Sequence, residues 1–372
     1  MGGRAARLVM ISALLFGGCS SPAQAKTVVF TKVDLSATPI ALTVDGDALV
    51  IGVRRDDQAT KPGLLRRTAD GALTEIPVRG ASPYGLLATW KSIDVDGGRI
   101  VAVGGERGGA HGNVRWSVWD GSASGVVEKP QGFSTFGGYG AGDLTAAVIT
   151  PAGPALVGSW NSEQVGLDVA TWTAEGDTWT RRSSAGTALE STQAALGFPM
   201  AASALGQGVL VAGWQLADDR LTPVVWRSTS GVDGWTKTTL PDTGATASAI
   251  SLACQASTCA VAGQVDGKLA VWRLIDGTWT RVPGAPPIAV GDKDPLPAPV
   301  EIGLRVVQVV SDGGQVKIAR ADSGSWTVLS AQGPTGVVTA AATIGDALFV
   351  LAGPDAEHQS LWRVGEGDII GR

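Results

Sequence analysis

The stretch V-A-T-W-T-A-E-G-D-T-W-T-R-R at residues 169–182 carries two Trp residues seven positions apart, with a turn sequence between them. It follows A-L-V-G-S-W at residues 155–160, an apolar run that ends in Gly before Ser and Trp. Short apolar and β-branched runs separated by Gly and Asp are typical of strands joined by turns. We therefore interpret residues 155–182 as three consecutive β-strands.

The same pattern recurs along the chain. V-L-V-A-G-W at residues 209–214 precedes a Trp-bearing run, and L-A-V-W-R-L-I-D-G-T-W-T-R-V at residues 269–282 repeats the paired Trp residues. Seven copies align at equivalent strand positions, about 40 to 55 residues apart. These positions are Leu65, Trp119, Trp172, Trp226, Trp272, Ala319 and Trp362.

A further short run rich in Ala, Ser and Thr precedes each Gly-ending strand, as in S-A-I-S-L at residues 248–252. Small side chains suit innermost strands that crowd around a channel, so each unit has four strands. Seven such units predict an all-β, seven-bladed β-propeller over residues 27–372. We expect T-V-V-F-T-K-V-D-L at residues 27–35 to close the last blade from outside and remove its free edge.

The composition agrees with this architecture and excludes other classes. The 372 residues include 52 Gly, which we assign to turns and strand ends, and 13 Trp, which we assign to packing between blades. Lys and Arg number 29 against 34 Asp and Glu, so a nucleic-acid partner is not expected. Two His residues leave little room for a His-rich metal site. We expect a monomer without metal or cofactor.

Residues 1–18 contain two Arg residues followed by a nine-residue apolar run, which is too short to span a bilayer and fits a signal peptide. Two Gly residues then precede Cys19. This segment resembles the lipobox of bacterial lipoproteins. The resemblance implies that Cys19 is acylated, for example with palmitate, and that residues 19–26 form a lipidated tether on the extracytoplasmic side of the cell membrane. The alternative is an ordinary signal peptide cut after Ala25.

Cys254 and Cys259 are the other two cysteines, and they flank Gln-Ala-Ser-Thr between two apolar runs. Opposite positions of a hairpin bring two Cys residues within bonding distance, and an exported protein meets oxidising conditions. We therefore predict a disulfide between them. Two free thiols, or half of a zinc site, are the alternatives, and no second Cys or His pair is present to complete such a site.

In a propeller, the segments between second and third strands share one face with the segments between blades, and the remaining turns lie on the other face. We name the first the long-loop face, with its longer segments at residues 54–57, 106–111, 160–168, 214–220 and 283–299, and the second the tight-turn face. Polar and aromatic groups on loops above a rigid ring are typical of binding sites. The candidate binding residues are Arg54, Arg55, Glu106, Arg107, His111, Trp160, Asn161 and Trp214.

We therefore expect a non-catalytic module that binds an envelope protein, a peptide or a glycan; plain solvated loops on a structural envelope protein are one alternative. A glycan-active hydrolase is another, because the blades distantly resemble sialidase-like propellers, whose Asp-box reads S-x-D-x-G-x-x-W. Residues 276–279 and 322–326 carry Asp, Gly and Trp at other spacings. The resemblance implies a Tyr nucleophile paired with Glu and three Arg, and Tyr84 and Tyr139 show no such set in sequence. We expect no catalytic residues.

Overall fold

The structure is a computed structural model that describes residues 26–109, 112–291 and 294–371. Seven β-sheets surround a central channel, and the predicted seven-bladed β-propeller is confirmed. In each blade the strand nearest the channel comes first in sequence and the next strands follow outward. The predicted signal peptide, Cys19 and the tether up to residue 25 lie outside the described residues.

The described part of the chain begins with two short strands, β1 (Thr27–Val29) and β2 (Thr31–Val33). In blade 1 the strands follow from the channel outward as β3 (Thr38–Asp45), β4 (Ala48–Arg54), β5 (Pro62–Thr68) and β6 (Leu73–Ile76). Blade 2 has β7 (Val78–Arg79) at its outer edge, and from the channel outward it contains β8 (Thr89–Asp96), β9 (Arg99–Gly108), β10 (Asn113–Ser122) and β11 (Gly125–Glu128). Blade 3 contains β12 (Gly142–Thr150), β13 (Gly153–Asn161), β14 (Leu167–Glu175) and β15 (Thr178–Arg182) in the same order.

Blade 4 contains β16 (Leu196–Leu205), β17 (Gly208–Ala217), β18 (Arg220–Arg227) and β19 (Thr236–Thr239), and blade 5 contains β20 (Ala247–Gln255), β21 (Thr258–Val265), β22 (Lys268–Ile275) and β23 (Thr278–Arg281). Blade 6 contains β24 (Val300–Ile302), β25 (Arg305–Asp312), β26 (Gln315–Asp322) and β27 (Ser325–Thr335). Blade 7 contains β28 (Val337–Ile344), β29 (Ala347–Gly353) and β30 (Ser360–Gly365). The described residues also form two helices of one turn each. α1 (Pro83–Leu87) precedes the inner strand of blade 2, and α2 (Glu366–Ile370) follows β30. Among the helices of the described ranges, none combines the length and apolarity needed to cross a membrane.

The hydrophobic core is divided among the seven junctions between neighbouring blades. All seven repeat positions predicted from the sequence lie in third strands. Trp119, Trp172, Trp226 and Trp272 are buried, and each packs against apolar side chains of the preceding blade. Their assignment to packing between blades is therefore confirmed.

Two of these Trp residues also fix the chain segment that leads into their own blade. The Trp172 indole N–H donates to the carbonyl of Thr135 (2.9 Å), and that of Trp272 donates to the carbonyl of Pro241 (2.8 Å). A buried indole loses little by leaving water when its N–H finds such a partner. Trp172 and Trp272 thus connect the hydrophobic core between two blades to a chain segment on the long-loop face.

In blades 1 to 5, the glycine that ends the apolar run of the second strand lies opposite an irregularity in the inner strand. The register shifts by one residue in the inner strands of blades 1 to 5 and 7, as a β-bulge does. In blades 3, 4 and 5, a methyl group on Gly158, Gly213 or Gly263 would overlap with a backbone carbonyl of the inner strand. Close backbone approach, rather than turn formation, explains these glycines.

We expect Gly263→Ala to lower the free energy of unfolding by about 3 kcal/mol, because the added methyl group collides with the carbonyl oxygen of Ser248. Gly367→Ala is the matched control, since no atom lies within 4 Å of its added methyl group. Urea titration followed by Trp fluorescence measures both. Equal stabilities of the two variants would contradict the close-approach explanation.

The N-terminal segment closes the ring, as predicted, but it joins two blades rather than one. β2 pairs antiparallel with β30 and supplies the outer strand of blade 7, while β1 pairs parallel with β27 at the outer edge of blade 6. Val28 is 3% exposed and packs into the core of the junction between blades 6 and 7, whereas Val29 is 61% exposed.

One of the predicted long loops is a tight turn. Residues 214–220 were expected to form a loop, but β17 and β18 are joined by Asp218 and Asp219 alone, both at positive φ (50° and 56°). Asp tolerates this backbone region, so a two-residue hairpin forms without Gly. Trp214 therefore lies in a strand, and on the long-loop face the second and third strands are joined by longer segments in blades 1, 2, 3 and 7.

Candidate functional site

A cavity of about 250 Å³ opens on the long-loop face at the junction of blades 2 and 3. Its walls come from α1, the start of β10, the end of β11 and the segment 129–141 that leads into blade 3. The lining side chains that carry chemistry are Tyr84, Arg115, Trp116, Glu128, Lys129 and Phe133.

Glu128 holds one wall of this cavity in place. Its buried carboxylate accepts hydrogen bonds from the backbone N–H groups of Ala81 (2.6 Å) and Ser82 (2.8 Å) and from the Ser82 hydroxyl (2.6 Å). The Ser82 oxygen in turn accepts from the N–H of Gly85 and caps α1. The carboxylate is therefore engaged in positioning α1, which carries Tyr84.

The opposite wall is aromatic and cationic. The Arg115 guanidinium lies 4.7 Å above the centre of the Phe133 ring, and it donates to the carbonyl of Gly138. The ring of Tyr139 meets that of Phe133 edge to face at 4.7 Å. Phe133 is 51% exposed and Tyr139 76% exposed, and no other aromatic side chain of the described residues is as open to solvent.

The segment 129–141 is attached to blade 3 at several points, although it contains no strand. The side chain of Gln131 donates to the carbonyl of Asp177 (2.7 Å) and accepts from the N–H of Trp179 (2.9 Å). The carbonyl of Thr135 accepts from the Trp172 indole, and the buried Phe136 ring packs against the same indole. Phe133 and Tyr139 are thus presented on a fixed scaffold.

This cavity brings together one Tyr, one Glu and one Arg, and not the set that sialidase-like chemistry implies. Glu128 is engaged by three donors that position α1, and Arg115 is the single Arg in the lining. The arrangement can hold an anion beside an aromatic surface. It does not place a free carboxylate against Tyr84.

The predicted binding residues of blades 1 and 2 are mostly occupied with partners of their own. Arg54 pairs with Asp56 (2.7 Å), and Arg55 pairs with Glu75 (2.9 Å). At the end of β9, Glu106 is half-buried and the exposed Arg107 donates to the carbonyl of Gly112 (3.2 Å). His111 lies outside the described residues.

The predicted residues of blades 3 and 4 lie in strands at the same face. Trp160 is half-buried between the Trp172 ring (6.1 Å between ring centres) and the guanidinium of Arg181 (4.8 Å above its ring). Asn161 is exposed, and Trp214 stacks on Phe198 at 4.0 Å. None of the seven predicted residues that the structure describes lines the cavity at blades 2 and 3, so the joint role of the eight as a binding face stays a prediction.

Sequence reasoning missed Arg115 and Phe133 and considered Tyr139 only as a nucleophile. Arg115 stands in a strand pattern where an outward Arg is ordinary. The signal available was G-F-S-T-F-G-G-Y-G at residues 132–140, three aromatic residues among glycines in an inter-blade segment. Which of the three would be buried depends on contacts with blade 3 that the segment itself does not show.

A second and larger cavity, of about 720 Å³, is the central channel on its tight-turn side, lined by inner strands of all seven blades. Ser92 and Asp94 of blade 2 bridge to blade 3 here: their side chains accept from the N–H groups of Ala147 (3.1 Å) and Ile149 (2.6 Å). The predicted disulfide between Cys254 and Cys259 is confirmed and lines this cavity, with 4.1 Å between the Cα atoms.

The carboxylates near the channel are engaged in local contacts. Burial raises the pKa of Asp143 at the start of β12, while the nearby charge of Lys91 and a hydrogen bond from Trp116 act in the opposite direction. Glu301 forms an ion pair with Arg273. In the described part of the chain, no three His, Cys, Asp or Glu side chains are grouped closely enough to hold a metal ion.

Burial also raises the pKa of Asp94, although hydrogen bonds from Ile149 and Val95 oppose this effect and the charge of Asp96 adds to it. The folded state therefore binds more protons than the unfolded state above the ordinary Asp pKa of about 3.9. The stability contribution of Asp94 is complete below that value and falls as the pH rises through the raised pKa.

We expect the stability of Asp94→Asn, measured relative to the native chain, to improve as the pH rises from about 4, because Asn does not ionise. Urea unfolding at a series of pH values gives this difference directly. Ser92→Ala, which removes the neighbouring hydrogen bond to the Ala147 N–H without involving an ionisable group, is the control and should show a difference independent of pH. A pH-independent difference for Asp94→Asn would contradict the effect of burial.

Comparison with known proteins supports the fold and assigns no family. No protein-family model matches the sequence, and no curated protein matches it. The polysaccharide lyase Uly1 is similar over 94% of both chains, with 11% identity and a TM-score of 0.50. A prolyl endopeptidase matches 88% of this chain and 50% of its own, at 11% identity and a TM-score of 0.49. TolB from Acinetobacter baumannii matches 78% and 68%, at 12% identity and a TM-score of 0.42.

At these identities the likeness concerns the fold alone, and only Uly1 reaches a TM-score that supports an argument. The fold and the site together define a seven-bladed β-propeller with an aromatic cavity on its long-loop face. Fold does not determine function, so the function must be argued from that face.

Proposed function

We propose that this protein is a lipoprotein anchored through Cys19 on the extracytoplasmic side of the cell membrane, and that its long-loop face binds an envelope protein, a peptide or a glycan without catalysing a reaction. The observation that supports this most is the exposed pair Phe133 and Tyr139 beside Arg115. Exposed aromatic rings beside an Arg on a fixed scaffold are typical of recognition surfaces.

The position of the first described residue supports an orientation. β1 runs parallel to β27, which leads from the tight-turn face to the long-loop face, so the chain enters from the tight-turn side. Lys26 lies beside the C-terminal end of α2, where a methyl group on Gly371 would come within 3.4 Å of the Lys26 Nζ. About seven extended residues, at most ~25 Å, separate Cys19 from this point. The tight-turn face then looks toward the membrane.

We expect Cys19→Ser to abolish incorporation of labelled palmitate and to move the protein from the membrane fraction to the soluble fraction, because two or more acyl chains are what hold it there. The double variant Cys254→Ser/Cys259→Ser retains Cys19 and should retain the label. A native chain that is unlabelled and soluble would instead favour cleavage after Ala25.

Photo-crosslinking in intact cells tests which face meets the partner. Asn161 at the long-loop end of β13 and Glu175 at the tight-turn end of β14 are both exposed and belong to the same blade. A photoreactive residue at position 161 is expected to give discrete adducts with an envelope protein or glycan, whereas position 175 gives none. Adducts from position 175 alone, or from neither position, would overturn the binding role of the long-loop face.

A further inference from the structure

The cavity at blades 2 and 3 is lined by Arg115, which forms no ion pair with an acidic side chain of the described residues, although Glu106 lies opposite it on β9. Lys129 pairs with Asp177 (2.7 Å), and the Glu128 carboxylate is engaged by Ala81 and Ser82. Arg115 has five N–H donors, one of which meets the carbonyl of Gly138, and no acidic side chain of the described residues forms an ion pair with it. The cavity therefore favours a ligand with an anionic group, and a carboxylate can bind a guanidinium in bidentate fashion.

An apolar ring surface lies next to this cation, formed by Phe133 in the cavity lining and by Tyr139, which contacts Phe133 but is not itself a lining residue. Phe133 and Tyr139 contact each other at 4.7 Å, and the Phe133 ring lies directly under the Arg115 guanidinium. Weakly positive C–H groups pack well on the electron-rich face of an aromatic ring. A ligand that satisfies both features carries a carboxylate on a saturated ring with C–H groups along one face.

The shape of the site disfavours a peptide ligand. An extended peptide usually adds to a free sheet edge, but the outer strand of blade 2, β11, is already covered by β7, which pairs through Val78 and Arg79. A volume of about 250 Å³ accepts a group the size of one ring and leaves no groove for a helix. The fixed segment 129–141 also keeps the ordering cost of binding low, which suits a small contact area.

We infer that this cavity binds a uronate residue of an acidic glycan, with the sugar ring on Tyr139 and Phe133 and its carboxylate on Arg115. This inference rests on the proposed binding role of the long-loop face and names the ligand class of that face. Tyr84 supplies a hydroxyl in the same lining, a group that can meet a sugar hydroxyl.

The test uses the full chain in detergent micelles, titrated calorimetrically with trimers of galacturonate, mannuronate and glucuronate. Methyl esters of the same trimers remove the charge and keep the rings, and pentaglutamate keeps the charge and removes the rings. At least one uronate trimer is expected to bind about tenfold more tightly than its methyl ester and than pentaglutamate, and added salt weakens this binding because part of it is ionic.

Two variants and two matched controls locate the site. Arg115→Gln should weaken binding of that trimer about tenfold, and Tyr139→Ala, at an exposed position that is not part of the core, about fivefold. Arg181→Gln removes an Arg that covers the Trp160 ring within blade 3, outside the cavity lining. Leu304→Ala removes a 93% exposed apolar side chain on blade 6. Both variants should bind the trimer as the native chain does.

The inference is overturned if none of the three trimers binds, or if a trimer and its methyl ester bind equally. It is also overturned if both Arg115→Gln and Tyr139→Ala bind the trimer as tightly as the native chain does. Tighter binding of pentaglutamate than of every trimer would identify an acidic peptide as the ligand and also overturn it. If adducts still form from position 161 in cells, the proposed function stands while the ligand class fails. If no adducts form either, both fail.

Discussion

The close approach of the inner strand to the second strand of a blade sets the geometry of the ring. In blades 3, 4 and 5 a carbonyl oxygen of the inner strand occupies the space where a side chain of the second strand would be, so only Gly is accommodated there. The bulge that causes this approach bends the strand most exposed to crowding at the channel. The inner strand of blade 6 has only three residues and reaches the channel without this irregularity.

Two carboxylates of this protein accept hydrogen bonds from backbone groups that the sheets leave unpaired. Glu128 accepts from the backbone before α1, and Asp94 accepts from the inner strand of the next blade. Each links elements that are not hydrogen-bonded neighbours in one sheet, because a buried N–H needs a partner wherever the ladder ends. A buried acidic residue here is therefore better explained by structure than by catalysis.

The blades could be predicted because Gly, Trp and apolar residues recur at equivalent positions, and every third-strand position was assigned correctly from Leu65 to Trp362. The site could not. The ring of Phe136 is buried by Trp172, whereas the nearby rings of Phe133 and Tyr139 stay exposed, and this difference arises from contacts with blade 3. Residues 214–220 were misassigned as a loop because two Asp residues form a hairpin turn that Gly usually marks.

The pairing of β1 with β27 and of β2 with β30 has a consequence for biosynthesis. β1 and β2 are synthesised well before their partners and can pair only after residues 330–332 and 361–363 have been made. Contacts of such high sequence separation form late, since a long loop must close before they contribute any stability. Until then the chain is an open ring with an uncovered apolar junction, so closure in a single late step suits this topology better than stepwise folding of each blade during synthesis.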